Sequence, residues 1–250
     1  MKTLFVTDIG SVRAHNEDAG GIFTNKAGEY LAVVADGMGG HQAGDVASQM
    51  VVDMLEQTWK PIDEPFLPEE ANKWLKDAID TINAKIYETS LENKKLEGMG
   101  TTVVAAICTK SFVVIVHIGD SRAYVLTEDT FQQKTEDHSL VNELRKNGEI
   151  TKEEAENHPR KNVLTRALGT TPATKSDSVV MEWKEGDGVI LCSDGLTNKV
   201  TEKEMEEALR HHPSLASCGE ALVQLAIDRG GEDNITLAIV MNAPAQKELV

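Results

Sequence analysis

A chain of 250 residues with 40% apolar side chains can bury a substantial core, and no apolar run approaches the roughly 20 residues that a bilayer span needs. Its 25 basic and 41 acidic residues leave a formal charge of −16 with no basic run, which excludes a surface built to hold nucleic acid or anionic lipid. Three cysteines, odd in number and far apart, give neither a disulfide framework nor a metal spacing, and the N-terminus does not read as a secretion signal, so a cytoplasmic setting is expected.

Strands are expected near 3–9, 20–24 and 30–35. Apolar residues at helical spacing (Ala47, Met50, Val51, Met54, Leu55) predict a helix over about 44–59. A second stripe (Ala71, Leu75, Ile79, Ile82, Ile86) predicts another over about 67–92, set apart from the first by Pro61, Pro65 and Pro68. The stretch 101–126 reads as three strands joined at Thr109-Lys110-Ser111 and at Gly119-Asp120. Residues 138–158 predict two short helices, the second opening with a capping box at Thr151 and Glu154. "SVVMEWKEGDGVILC" reads as a hairpin turning at Asp187-Gly188. Two helices near 201–211 and 217–229 open with boxes at Thr201/Glu204 and Ser217/Glu220, and "NITLAIVM" closes the chain's last strand. Short turns imply antiparallel pairing, and runs such as "VVIVHI" and "GVILC" need cover on both faces. The expectation is an α+β fold in which two antiparallel sheets pack together with helices outside.

Five separate segments place an aspartate where a core strand meets a loop: Asp18, Asp36, Asp120, Asp194 and Asp233. A single Asp-Gly is a turn, and Asp36-Gly37 taken alone reads that way. Five such aspartates suggest one shared edge. Carboxylates crowded together raise one another's pKa, and divalent cations relieve the repulsion. An all-oxygen set without His or Cys clusters suits Mg²⁺ or Mn²⁺. Gly37 would then offer its carbonyl to a metal with no side chain in the way. Two such cations about 3.5–4 Å apart form a clamp for in-line displacement at phosphorus. Arg13, in the same loop region as Asp18, can grip two phosphate oxygens. Asp187 is set aside as a plain hairpin turn, Glu17 as structural, and the Glu-rich block 202–207 as the solvated face of a helix.

The motifs "RAHNED", "ADGMGGHQAGDVAS", "GMGTT", "HIGDSRAYVL", "DHSLV", "LTRALG", "LCSDGL" and "GGEDNIT" follow one another from Thr7 to about Met241. Together they resemble the bacterial branch of the metal-dependent serine/threonine protein phosphatases, the type-2C family. The resemblance implies one catalytic domain over 1–242, a four-layer α-β-β-α sandwich with a mobile flap over about 138–172, and a C-terminal tail at 243–250. It implies a dinuclear Mn²⁺ or Mg²⁺ centre in which Asp36 bridges both ions, Asp194 and Asp233 complete one, and the Gly37 carbonyl serves the other. Asp18 would act mainly through bound waters, Asp120 would help hold a third, weaker ion, and Arg13 would bind the substrate phosphate. Hydroxide bridging the two ions would attack phosphoserine and phosphothreonine of phosphorylated proteins directly, without a phosphoenzyme, and so reverse a cognate bacterial Ser/Thr kinase. Nucleic acid and membrane insertion have no place in this reading.

One departure bears on proton transfer. Where eukaryotic members carry "DGHGG", with its histidine proposed as general acid, this chain reads "DGMGGH" and has Met38 there. His41 or a metal-bound water is then left to protonate the leaving oxygen, and His41 is equally a loop residue capping the following helix. The alternative function is a catalytically weak, phosphoprotein-binding scaffold of the same fold, which should have lost metal aspartates. A calcium buffer lacks its alternating-oxygen loop here, and a metal-dependent nuclease lacks its basic surface.

Overall fold

Side chains alternate across a strand with period two, and in this chain both sets are apolar along the central strands, so each sheet has two dry faces to cover. The computed structural model describes residues 1–39 and 43–243; His41 and the tail from 244 onward lie outside the described residues. The elements are β1 (Lys2–Asp8), β2 (Asp18–Thr24), β3 (Tyr30–Met38), α1 (Ala43–Trp59), α2 (Pro68–Glu92), β4 (Gly100–Thr101), β5 (Val103–Cys108), β6 (Phe112–Ile118), β7 (Arg122–Leu126), β8 (Phe131–Gln133), α3 (Leu140–Lys146), α4 (Lys152–Glu156), β9 (Asp177–Glu182), β10 (Gly188–Cys192), α5 (Asp194–Thr197), α6 (Glu202–His211), α7 (Leu215–Asp228) and β11 (Ile235–Met241). Five strands form one antiparallel sheet in the order β1-β11-β10-β7-β8, and β2-β3-β5-β6-β9, with β4 beside β3, form the other.

Strand parity assigns each residue to a layer. In β3, Leu31, Val33 and Ala35 face α1 and α2, while Ala32 and Val34 face the opposite sheet. In β11, Ala238 and Val240 meet that inner layer, while Ile235, Leu237 and Ile239 turn outward to Leu222 and Ala226 of α7 and Met205 of α6. The result is the expected four-layer α-β-β-α sandwich. Each fully buried Leu, Ile or Val in these clusters contributes about 1.5–3 kcal/mol of burial free energy. Among the described residues no helix is long and apolar enough to cross a membrane.

Several local expectations are corrected. The Gly119-Asp120 turn does not join hairpin partners: β6 pairs β5 and β9 in one sheet, and β7 pairs β10 and β8 in the other. Likewise β9 and β10 are not a hairpin, since β9 pairs β6 while β10 lies between β7 and β11. Asp187 thus closes a turn, its N–H donating to the Lys184 carbonyl at 3.0 Å, but the turn passes between sheets and is not a plain hairpin turn. The residue is buried, its Oδ2 accepts the Lys184 N–H at 2.8 Å, and its carbonyl accepts the Asn242 N–H, which fastens a sheet-to-sheet crossing. Helix α7 starts at Leu215 on a Ser214/Ser217 capping box rather than at Ser217/Glu220, whereas the boxes at Thr151/Glu154 and Thr201/Glu204 form as expected. Strand β3 does not stop at Asp36; β4 pairs with it at Gly37 and Met38 and carries it onward.

Candidate metal centre

Asp18 and Asp36 stand directly opposite each other in the β2–β3 register. Opposed residues of an antiparallel pair share a face with Cβ atoms about 4.5–5.5 Å apart, so two carboxylates there repel at close range. The second sheet supplies the rest. Asp194 opens α5 just after β10, Asp233 lies two residues before β11, and Asp120 sits on the β6–β7 crossing between the sheets. All five expected aspartates thus gather at one end of the sandwich, near enough that their charges perturb one another.

The perturbation has one direction. Loss of surrounding water pushes the Asp36 carboxyl well above the usual range, and the charges of Asp18, Asp194, Asp120 and Asp233 add to it. Burial raises Asp18 to about 7 despite the opposing hydrogen bonds of Ser193 and Thr236. Asp120 rises to about 8 by burial, next by the Asp194 charge, against the pull of Arg122. Asp194 is raised by burial and by Asp233. Moreover, Asp194 Oδ1 is buried and has no hydrogen-bond donor among the described residues, while its Oδ2 accepts the Asn198 amide at 3.1 Å. A buried, orphaned carboxylate oxygen beside other carboxylates is the signature of a site that fits hard cations.

Backbone clamps hold this arrangement. The Asp36 N–H donates to Thr102 Oγ1 at 2.9 Å, and the Asp36 carbonyl accepts from Thr101 Oγ1 and from the Thr102 N–H. Ser193 Oγ donates to Asp18 Oδ2 at 2.7 Å and accepts the Thr236 N–H, tying the β10 end to β11 and to β2. Asn234 donates to the carbonyls of Ile9 and His15 and accepts the Glu17 N–H, so it moulds the loop that carries Arg13. Arg13 reaches the cluster: Nη2 donates to Asp233 Oδ2 at 2.8 Å while the side chain stays 45% exposed, open to a ligand. None of these clamps was expected from sequence; only the "GMGTT", "LCSDGL" and "GGEDNIT" motifs pointed at their location. Glu17 serves through its backbone, its carbonyl accepting from the Gly37 N–H and from Ser48 Oγ.

The structure adds a steric reason for glycine at position 37. A Cβ there would lie 2.1 Å from the Gly44 carbonyl oxygen and 2.6 Å from that of Glu17. The missing side chain lets three backbone segments touch.

Behind Asp120 lies a second cluster. The Gly119 N–H donates to His138 Nδ1 at 3.1 Å, which puts the ring proton on Nε2, 2.9 Å from Asp177 Oδ2. His117 stacks on His138 at 4.8 Å and meets the Glu136 carbonyl. Burial lowers the pKa of both histidines, which favours the neutral ring in each. His117, His138 and Asp177 have metal-like spacing, but Arg166 Nη1 lies 3.1 Å from both His138 Nε2 and Asp177 Oδ2 and fills the place with a fixed positive charge. This cluster braces the Asp120 loop against the segment that follows β8.

A protein-family profile described as Protein phosphatase 2C matches residues 11–233, a span that contains every aspartate of the cluster. The chain belongs to the protein phosphatase 2C family. Among its relatives, the serine/threonine phosphatase stp of Listeria welshimeri is 49% identical over 247 residues, covering 99% of this chain and 98% of the relative. The solved structure of the serine/threonine phosphatase Stp1 from Staphylococcus aureus superposes with a TM-score of 0.91 at 39% identity, covering 96% of this chain and 94% of the other. The catalytic domain of the serine threonine protein phosphatase PstP, solved in complex with 2 manganese ions, gives a TM-score of 0.84 at 36% identity over 95% and 96% of the two chains. This phosphatase 2C chain is therefore an enzyme of the protein phosphatase class, and divalent metal use belongs to its family.

Proposed function

We propose that the chain hydrolyses phosphoserine and phosphothreonine monoesters on proteins, using a pair of Mn²⁺ or Mg²⁺ ions held by its convergent aspartates, and that it opposes a Ser/Thr protein kinase of the same cell. The observation that carries this reading is the meeting of aspartates from both sheets around Asp36, with the Asp194 Oδ1 left without a donor among the described residues. In this assignment Asp36 would bridge the ions, Asp194 and Asp233 would complete one, the Gly37 carbonyl and Asp18 would serve the other, and Asp120 would support a third. When bound, such ions supply Lewis-acid polarisation of the phosphoryl oxygens and a water acidified for in-line attack.

The protein's own groups do the remaining work. Arg13, exposed at the rim, would orient the non-reacting phosphate oxygens with its forked donors. His41 is retained as the candidate donor of the proton to the leaving alkoxide. A cysteine-nucleophile route is disfavoured: Cys108, Cys192 and Cys218 are all buried, and burial pushes even Cys192, two residues from Asp194, up to about 12. The span 138–172 is assigned as the substrate-facing flap within a single catalytic domain.

The test is phosphate release from a phosphothreonine peptide with Mn²⁺, with and without chelator, in the wild type and in Asp36→Ala and Asp233→Ala. Loss of turnover with chelator and in both variants is expected. Metal-independent release, or near-normal rates in either variant, would overturn the assignment.

A further inference from the structure

A groove of about 830 Å³, within the size range of ligand sites, runs from Asp120 and Asp194 between the α3–α4 segment and the start of α6. Its charge runs against that of the molecule. It is lined by Arg122, Arg145, Lys152, Lys161, Lys199 and Lys203, and, beyond the two aspartates at its metal end, by only three carboxylates, Glu136, Asp137 and Glu202. The whole chain has 25 cations to 41 carboxylates, so this lining inverts the global balance.

Two of those three acids are already paired, as are two of the six cations, Arg122 with Asp137 and Lys199 with Glu232 outside the lining. The positive charge of the groove therefore rests on Arg145, Lys152, Lys161 and Lys203. Asp137 is held by Arg122 through Nε and Nη2, and Glu136 is paired at 2.7 Å with Lys146, a cation outside the lining. Arg145 points its guanidinium at the Asn142 amide oxygen, and the carboxylate nearest Lys203 is Glu207 at 3.8 Å. Lys152 and Lys161 lie on one wall and Lys203 on the other, so a chain laid in the groove passes between cations.

We propose that this groove holds the residues flanking the phosphorylated side chain, and that it selects substrates with anionic groups there, acidic side chains or a second phosphate. This inference rests on the phosphatase reading, because it is the Asp120–Asp194 end that would seat the phosphoryl group. Lysine or arginine in the flanks would meet like charge in the groove and be discriminated against.

The experiment compares kcat/KM with Mn²⁺ for four phosphothreonine peptides whose flanks are aspartate, alanine or lysine, or alanine with one added phosphoserine. It uses the full chain and the variant Lys152→Glu/Lys203→Glu. Both substitutions fall in the first turn of a helix, where a glutamate suits the helix dipole, so folding is not threatened. An aspartate-over-lysine preference of about tenfold is expected in the wild type, which corresponds to roughly 1.4 kcal/mol. The charge-reversed variant should bring that ratio to about one or below, and 0.5 M salt should flatten it by screening, roughly as a Debye length of only a few ångströms implies. Whichever of the aspartate and phosphoserine peptides is faster identifies the favoured anion, provided both outrun alanine. Equal rates for the aspartate and lysine peptides, or an unchanged ratio in the variant, overturn the groove assignment while leaving the phosphatase reading intact. Turnover of no peptide at all overturns both.

Discussion

Replacing Asp18 by asparagine should stabilise the metal-free protein and reduce the stabilisation that Mn²⁺ gives it. Asp18 is 9% exposed and faces Asp36 across the strand pair, and its carboxyl is raised from 3.8 to about 7. A group whose folded pKa is raised contributes stability that is complete below its unfolded pKa and is lost as pH climbs through the folded one. The loss for Asp18 therefore falls between about pH 4 and 7. At 1.36 kcal/mol per pH unit, ionising Asp18 costs on the order of 2 kcal/mol by pH 5.5 and on the order of 4 kcal/mol at pH 8. Asparagine carries no charge in either state and keeps an oxygen to accept the Ser193 hydroxyl. In chelator at pH 8 the variant should melt roughly 8–16 °C above wild type, and at pH 5.5 about half as far above, given about 2–4 °C per kcal/mol at this size. Adding Mn²⁺ should raise the wild-type Tm strongly at pH 8 and the variant's by less. Calorimetric or circular-dichroism melts check this. A wild type equally stable at both pH values in chelator, or a variant no more stable than wild type, would refute the crowding of charge at this pair.

Gly37→Ala should cost about 1–3 kcal/mol or more by forcing apart the Gly44 and Glu17 carbonyls, read in urea unfolding; a change within experimental error would show that the backbone yields there. His138→Ala leaves the Gly119 N–H and the Asp177 carboxylate short of a partner and should lose about 1–3 kcal/mol, whereas His138→Asn, with an oxygen near the place of Nδ1, should recover part of that loss. Calorimetry should find that His138→Ala also weakens the uptake of Mn²⁺ beyond the first two ions, because the Asp120 loop loses its brace; unchanged stoichiometry and affinity would count against it. His41→Ala should slow phosphothreonine peptides more than p-nitrophenyl phosphate, whose phenolate leaves without a proton, and equal losses on both would remove His41 as the donor.

The layers were legible because alternation along "LAVVA", "VVIVHI" and "NITLAIVM" is a local signal, and so were the helices whose caps are built from side chains three residues apart. Sheet membership was not. Gly119-Asp120 and Asp187-Gly188 both carry the chemistry of a tight turn, and that chemistry says only that the chain reverses, not which neighbour receives the next strand. The run of β3 past Asp36 was hidden for a similar reason, since its partner β4 is two residues long and has no pattern of its own. The aspartates could be picked out because a carboxylate at the end of an apolar run is unusual. Their clamps, Thr101, Thr102, Ser193 and Asn234, are ordinary polar residues whose role exists only once remote strands have met. Ser214 and Ser217 show the limit of cap reading: either could open α7, and it is Ser214 Oγ that accepts the Ser217 N–H and starts the helix.

The aspartate cluster spans a seam. Asp18 and Asp36 ride on one sheet, and Asp194 and Asp233 border strands of the other. The gap between the two pairs is held by the Ser193–Asp18 and Asn234–Glu17 hydrogen bonds together with the thin layer of Ala32, Val34, Ala106, Leu191 and Ala238 pressed between the sheets. A methyl group added or removed in that layer, far from any cation, slides one half of the cage against the other. If the aspartates hold the ions as proposed, cation preference would depend on this middle layer, and directed changes in metal selectivity could be sought among its buried alanines with every carboxylate left in place.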